Sequence, residues 1–102
     1  MAITSLTLTV TKDEGAEPRT ATLECPGGDT AACEALEKVE RTTFDPVPKD
    51  QACTMILGGP ETATVTGRLD GSSLEASFSQ QNGCEIARWK QITPVLEALD
   101  LL

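Results

Sequence analysis

The sequence predicts an α+β domain: an antiparallel sheet of four to five strands, one main helix and a second short helix near the end. Three observations predict it. Four stretches alternate apolar and polar residues with the period of a half-buried strand. One stretch places apolar residues three and four apart, the period of a helix face. Glycine, proline and aspartate fall between these stretches, where turns are needed. There are no internal repeats and no low-complexity tracts.

Each element follows in chain order. Residues 3–12 alternate cleanly, with Leu6, Leu8 and Val10 on one face and Ser5, Thr7, Thr9 and Thr11 on the other. Residues 13–18 are a polar connection containing Gly15. Residues 19–25 alternate again through Ala21, Leu23 and Cys25, a hairpin partner for the first strand. Pro26-Gly27-Gly28-Asp29 is a turn. Thr30 then caps a helix to about Glu40, with Ala32, Leu36 and Val39 on its apolar face and Glu34, Glu37, Lys38 and Glu40 opposite. Pro46 and Pro48 make residues 41–51 irregular.

Residues 62–68 form a third strand, with Ala63 and Val65 opposite Thr64 and Thr66. Asp70-Gly71 supplies a hairpin turn, and residues 73–79 return with Leu74, Ala76 and Phe78 inward. Residues 80–83 are a polar loop. The last stretch supports two readings: residues 85–91 fit a helix or a strand, and Thr93-Pro94 opens a terminal helix with proline in its first turn.

At 102 residues the chain is one domain, spanning 1–102. Hydrophobic residues make up 39% and aromatics 3%, so the core is aliphatic and modest. A domain of this size benefits from cross-links, and an even number of cysteines, four, points to an oxidising compartment. Cys25, Cys33, Cys53 and Cys84 include no pair at zinc-ligand spacing, and the chain has no histidine, so a metal site is not expected. Spacing alone leaves all three disulfide pairings open. The net charge of −8 argues against a nucleic-acid partner, whose phosphates need Lys and Arg. No run of apolar residues is long enough to span a membrane. No basic and then apolar leader opens the chain. If the protein is secreted, its signal peptide is missing from this sequence, and Met1-Ala2 reads as an added start.

Catalytic constellations are largely missing. Without histidine, Ser-His-Asp and Cys-His arrangements cannot form within the chain. The carboxylate pairs Asp13/Glu14 and Glu34/Glu37 sit on a turn and on a polar helix face, the positions of solvated charge. Gly27-Gly28 and Gly58-Gly59 lack the context of a phosphate loop. An enzyme is not expected, nor a cofactor.

Residues 52–60, Ala-Cys-Thr-Met-Ile-Leu-Gly-Gly-Pro, are more informative. Thr54 and Ile56 favour extended backbone, and Gly58, Gly59 and Pro60 break any ladder. Taken alone, Met55-Ile56 also fits a buried strand with Cys53 as an ordinary structural cysteine. The alternative is an extended loop tethered at Cys53 and carrying a large flexible apolar residue, the shape of a protease substrate.

The order of these pieces resembles the Streptomyces subtilisin inhibitor family of secreted bacterial serine protease inhibitors. The resemblance is carried by Leu-Thr-Leu-Thr-Val-Thr at residues 6–11, Ala-Thr-Leu-Glu-Cys at 21–25 and Ala-Cys-Glu-Ala-Leu at 32–36. It continues through Phe44-Asp45, Ala-Cys-Thr-Met-Ile at 52–56, and residues 60–71 with Val65, Thr66, Gly67 and Gly71. Phe78-Ser79, Asn82, Cys84 and Glu85 close the series, so it covers roughly residues 3–90. The chain departs from the family pattern at Leu57-Gly58-Gly59-Pro60, where Tyr-Asp-Pro is common. It has Leu69 where an aromatic is usual, a short Cys25 to Cys33 interval, and a longer stretch after Gln91.

The resemblance implies a standard-mechanism inhibitor of subtilisin-like and chymotrypsin-like proteases, with Met55-Ile56 as the reactive bond. Met55 would fill the primary specificity pocket, and Cys53, Thr54, Leu57 and Gly58 would complete the protease-binding loop. It implies the pairings Cys25–Cys33 and Cys53–Cys84, an Asn82 side chain bracing the loop, and a homodimer through sheet faces. Without the resemblance, Asn82 reads as an ordinary turn residue beside Gly83. The rival function is a secreted, disulfide-stabilised binding module with no protease target.

Overall fold

The computed structural model describes residues 3–13, 15–28 and 30–102. Met1-Ala2, Glu14 of the carboxylate pair and Asp29 of the turn lie outside them. Four strands form one antiparallel sheet: β1 (Thr4–Thr11), β2 (Arg19–Cys25), β3 (Thr62–Leu69) and β4 (Ser72–Phe78). Their spatial order is β2-β1-β3-β4, with β1 central against both β2 and β3. The period-2 pattern explains each register. Leu8 stands opposite Ala21 and Val65, while Thr9 stands opposite Thr20 and Thr64. One face is therefore aliphatic and the other a field of threonine and serine.

Two helices cover the aliphatic face, α1 (Thr30–Glu37) and α2 (Gly83–Ala98), and a short 3-10 turn occupies Arg41–Phe44. Leu6, Leu8, Val10, Leu23, Val65 and Phe78 of the sheet join Leu36, Trp89, Ile92, Val95 and Leu96 of the helices in one buried cluster. Leu69 belongs to that cluster too, at 8% exposure, rather than to the outer face.

The long helix is the C-terminal one, at 16 residues against 8 for α1. α1 stops at Glu37, short of Glu40, because its last carbonyls find other partners. The Lys38 and Val39 N–H groups donate to Ala35 and Leu36, tightening the last turn, and Arg41 Nη1 donates to the Leu36 and Val39 carbonyls at 3.1 Å each. Pro94 does not begin a new helix but lies inside α2. Proline removes the N–H that would reach back four residues to Lys90. The Thr93 hydroxyl donates to that Lys90 carbonyl instead, at 3.0 Å, and the buried Ile92, Val95 and Leu96 carry the helix through.

The Asp70-Gly71 turn closes β3 and β4 with both residues at positive φ, +51° and +84°, as a two-residue hairpin requires. It is pinned to the start of β1, since Asp70 N–H donates to Thr4 Oγ1 and Gly71 N–H to the Ile3 carbonyl, each at 3.0 Å. The cysteines pair as Cys25–Cys33 and Cys53–Cys84. Two disulfides fit an oxidising, extracellular environment, and among the described residues no helix is long and apolar enough to cross a membrane.

Candidate functional site

Residues 51–59, between the 3-10 turn and β3, have no regular structure. Their side chains set them apart. Met55 is 92% exposed, Ile56 58% and Leu57 79%, and among the described residues they are the only consecutive large apolar side chains left in water. The reading of Met55-Ile56 as a buried strand is thereby excluded. Ala52 to Pro60 contains no charged residue, so this tip can enter an apolar pocket without desolvating a charge.

The loop is exposed yet held at both shoulders. On the N-terminal side, Cys53 is bonded to Cys84, with their Cα atoms 5.4 Å apart, and Gly83 N–H donates to the Thr54 carbonyl at 2.9 Å. Gly83 leaves room for this approach, since a Cβ there would meet Thr54 Oγ1 and the threonine side chain would have to turn away. On the C-terminal side, Gly58 N–H donates to the Gln80 carbonyl at 2.7 Å and Gly59 N–H to Gln80 Oε1 at 3.2 Å. Both sets of partners come from residues 80–84, the corner between β4 and α2.

That corner is built from the sequence upward. Asn82 takes an extended conformation and its Oδ1 accepts the Glu85 N–H at 2.9 Å, so it is the N-cap of α2. The hydrogen bonds to the loop come from its neighbours Gln80 and Gly83. Behind the cap, Arg88 donates to the Thr43 carbonyl at 2.9 Å, the Ser77 carbonyl at 3.0 Å and Glu85 Oε1 at 3.0 Å. Its guanidinium also lies 4.6 Å from the Phe78 ring centroid. One largely buried cation thus ties the 3-10 turn, β4 and α2 together beneath the loop. An open groove of about 750 Å³ runs beside it, lined by Phe44, Val47, Cys53, Met55, Asn82 and Arg88 among others.

Of the residues singled out by sequence, Cys53, Thr54, Met55, Ile56, Leu57 and Gly58 lie together on the loop. Asn82 is at the supporting corner, and Cys25 and Cys33 form a separate bridge between the end of β2 and α1. Gln80 and Arg88 were not singled out. Gln80 reaches Gly59 across 21 residues and Arg88 reaches Thr43 across 45, beyond any local pattern. The local signal for Arg88 is its i,i+3 spacing from Glu85 within a largely apolar C-terminal stretch. No family model matches this chain, and no curated protein matches it.

Proposed function

We propose that this chain inhibits serine proteases of the subtilisin and chymotrypsin types by offering Met55-Ile56 as a substrate-like bond, and that it belongs with the Streptomyces subtilisin inhibitors it resembles. The observation that carries the reading is a loop whose Met55, Ile56 and Leu57 side chains are exposed while both shoulders are fixed to one corner of the fold. A flexible substrate loses conformational freedom when it docks, and a loop already anchored at both shoulders avoids much of that loss. Met55, long and unbranched, fills a broad apolar pocket, where burial contributes roughly 1.5–3 kcal/mol.

The mechanism follows from retention. When the protease serine attacks the Met55 carbonyl carbon, the Ile56 amine leaves but cannot diffuse away. It stays beside the acyl-enzyme ester and re-forms the bond, so hydrolysis stalls. Interfaces of standard size formed this way reach nanomolar affinity or tighter, on the order of −12 kcal/mol. Secretion and pairing of two copies through the outer sheet face belong to the same proposal. That face offers the methyl groups and hydroxyls of Thr7, Thr9, Thr20, Thr22, Thr64 and Thr66.

The test is a titration of subtilisin with the protein against a chromogenic peptide. Activity falling in proportion to added protein, to near zero at one chain per protease, supports the inhibitor. Undiminished activity at large excess points instead to a binding module without a protease target.

A further inference from the structure

Gln80 holds the Ile56 side of the loop through two different groups. Its backbone carbonyl accepts from Gly58 and its side-chain Oε1 from Gly59, so one residue takes consecutive N–H groups two and three residues beyond Ile56. The fit is close: a Cβ on Gly58 would lie 2.9 Å from Gln80 Cβ and 3.1 Å from its Oε1. The Nε2 of the same amide is buried, and among the described residues it has no hydrogen-bond partner. Packing alone asks for no amide here, since an unpaired buried N–H is costly and an apolar side chain of equal length would fill the space. What the amide supplies is the acceptor for Gly59.

We infer that Gln80 is the positioning residue that retains the newly formed Ile56 amine, and so sets whether an attacked loop is resealed or released. The inference rests on the inhibitor reading above. In the forward step the Met55 C–Ile56 N bond breaks, an ester forms between the Met55 carbonyl carbon and the protease serine, and the serine proton passes by way of the protease base to the Ile56 amine. In the reverse step that amine attacks the ester, the C–N bond re-forms and the serine recovers its proton. The Met55 side stays covalently fixed through Cys53–Cys84. The amine side has no covalent fastening so near the cut, and its first anchor in the chain is Gly58 on Gln80. Loss of the Gly59 bond leaves the segment on one hydrogen bond and lets the amine swing out of line. Water then takes the ester.

Gln80→Met keeps the length and removes the acceptor, while Gln80→Leu removes the acceptor on a shorter side chain, both away from the protease-binding loop itself. Both are mixed with subtilisin at equal concentration and followed for association rate, complex lifetime and the fraction cut at Met55-Ile56. Association within twofold of the parent protein, with a cleaved fraction and loss of inhibition over time rising tenfold or more in both variants, is the expected result. Pre-cut Gln80→Met protein should also be resealed at least tenfold more slowly than pre-cut parent protein. Parent-like lifetimes and resealing in both variants would overturn the latch while leaving the inhibitor reading intact. A parent protein that never inhibits would overturn both. A thermal melt separates loosening from misfolding, since a latch alters lifetime at an unchanged melting temperature.

Discussion

Met55 is the side chain with most to gain from leaving water, at 92% exposure and with no part in the core. Its replacement therefore tests specificity without disturbing the fold. Met55→Lys is expected to create inhibition of trypsin-like enzymes, whose primary pocket ends in an aspartate, with an unchanged unfolding midpoint. Met55→Asp is expected to weaken subtilisin inhibition tenfold or more, because a carboxylate would be buried unpaired. Inhibition constants indifferent to both changes would place the reactive bond elsewhere. Asn82 is a different kind of residue. As N-cap of α2 it contributes about 0.5–2 kcal/mol, so Asn82→Ala should lower stability by that amount in urea unfolding. If stability is unchanged while the loop is cut faster, the asparagine acts on the loop directly, as the resemblance implied.

Among the elements, the two disulfides divide the work. Cys53–Cys84 closes 31 residues and Cys25–Cys33 closes 8, so chain entropy assigns them about 3–4 and 2–3 kcal/mol respectively. Replacing Cys25 and Cys33 with serine should cost stability and spare inhibition. Replacing Cys53 and Cys84 should cost stability and also turn the loop into an ordinary substrate. Guanidinium unfolding beside a timed protease digest reads both effects, and equal digestion of the two variants would contradict the assignment. The strands were legible in the sequence because Leu6, Leu8 and Val10, like Ala63 and Val65, face a core on one side only, which imprints period 2. α2 was not. Pro94 resembles a helix start, and what carries the helix through it is a Thr93 hydroxyl and burial of Val95 and Leu96, neither of which alters local spacing. The loop was legible through its glycines and its cysteine, but Gln80 and Arg88 were not, since their roles exist only once β4 and α2 meet.

Taken whole, the molecule sets an aliphatic sheet face against two helices and leaves the opposite face hydroxyl-rich. The proposed pairing of two copies uses that outer face, and sedimentation at micromolar concentration should then give twice the 10.8 kDa of one chain. A mass of one chain would remove the dimer from the proposal without touching the loop. Leu69 contributes nothing to such pairing, since it faces the core. What the loop offers is a single bond, held so that it can be opened and closed but not lost. Mass spectrometry of the protein incubated with a trace of subtilisin tests it most directly. The expected result is a mixture of intact chain and one species cut at Met55-Ile56, still joined through Cys53–Cys84, that reaches a steady ratio from either starting form. Rapid conversion to many fragments, or a first cut at any other bond, would contradict it.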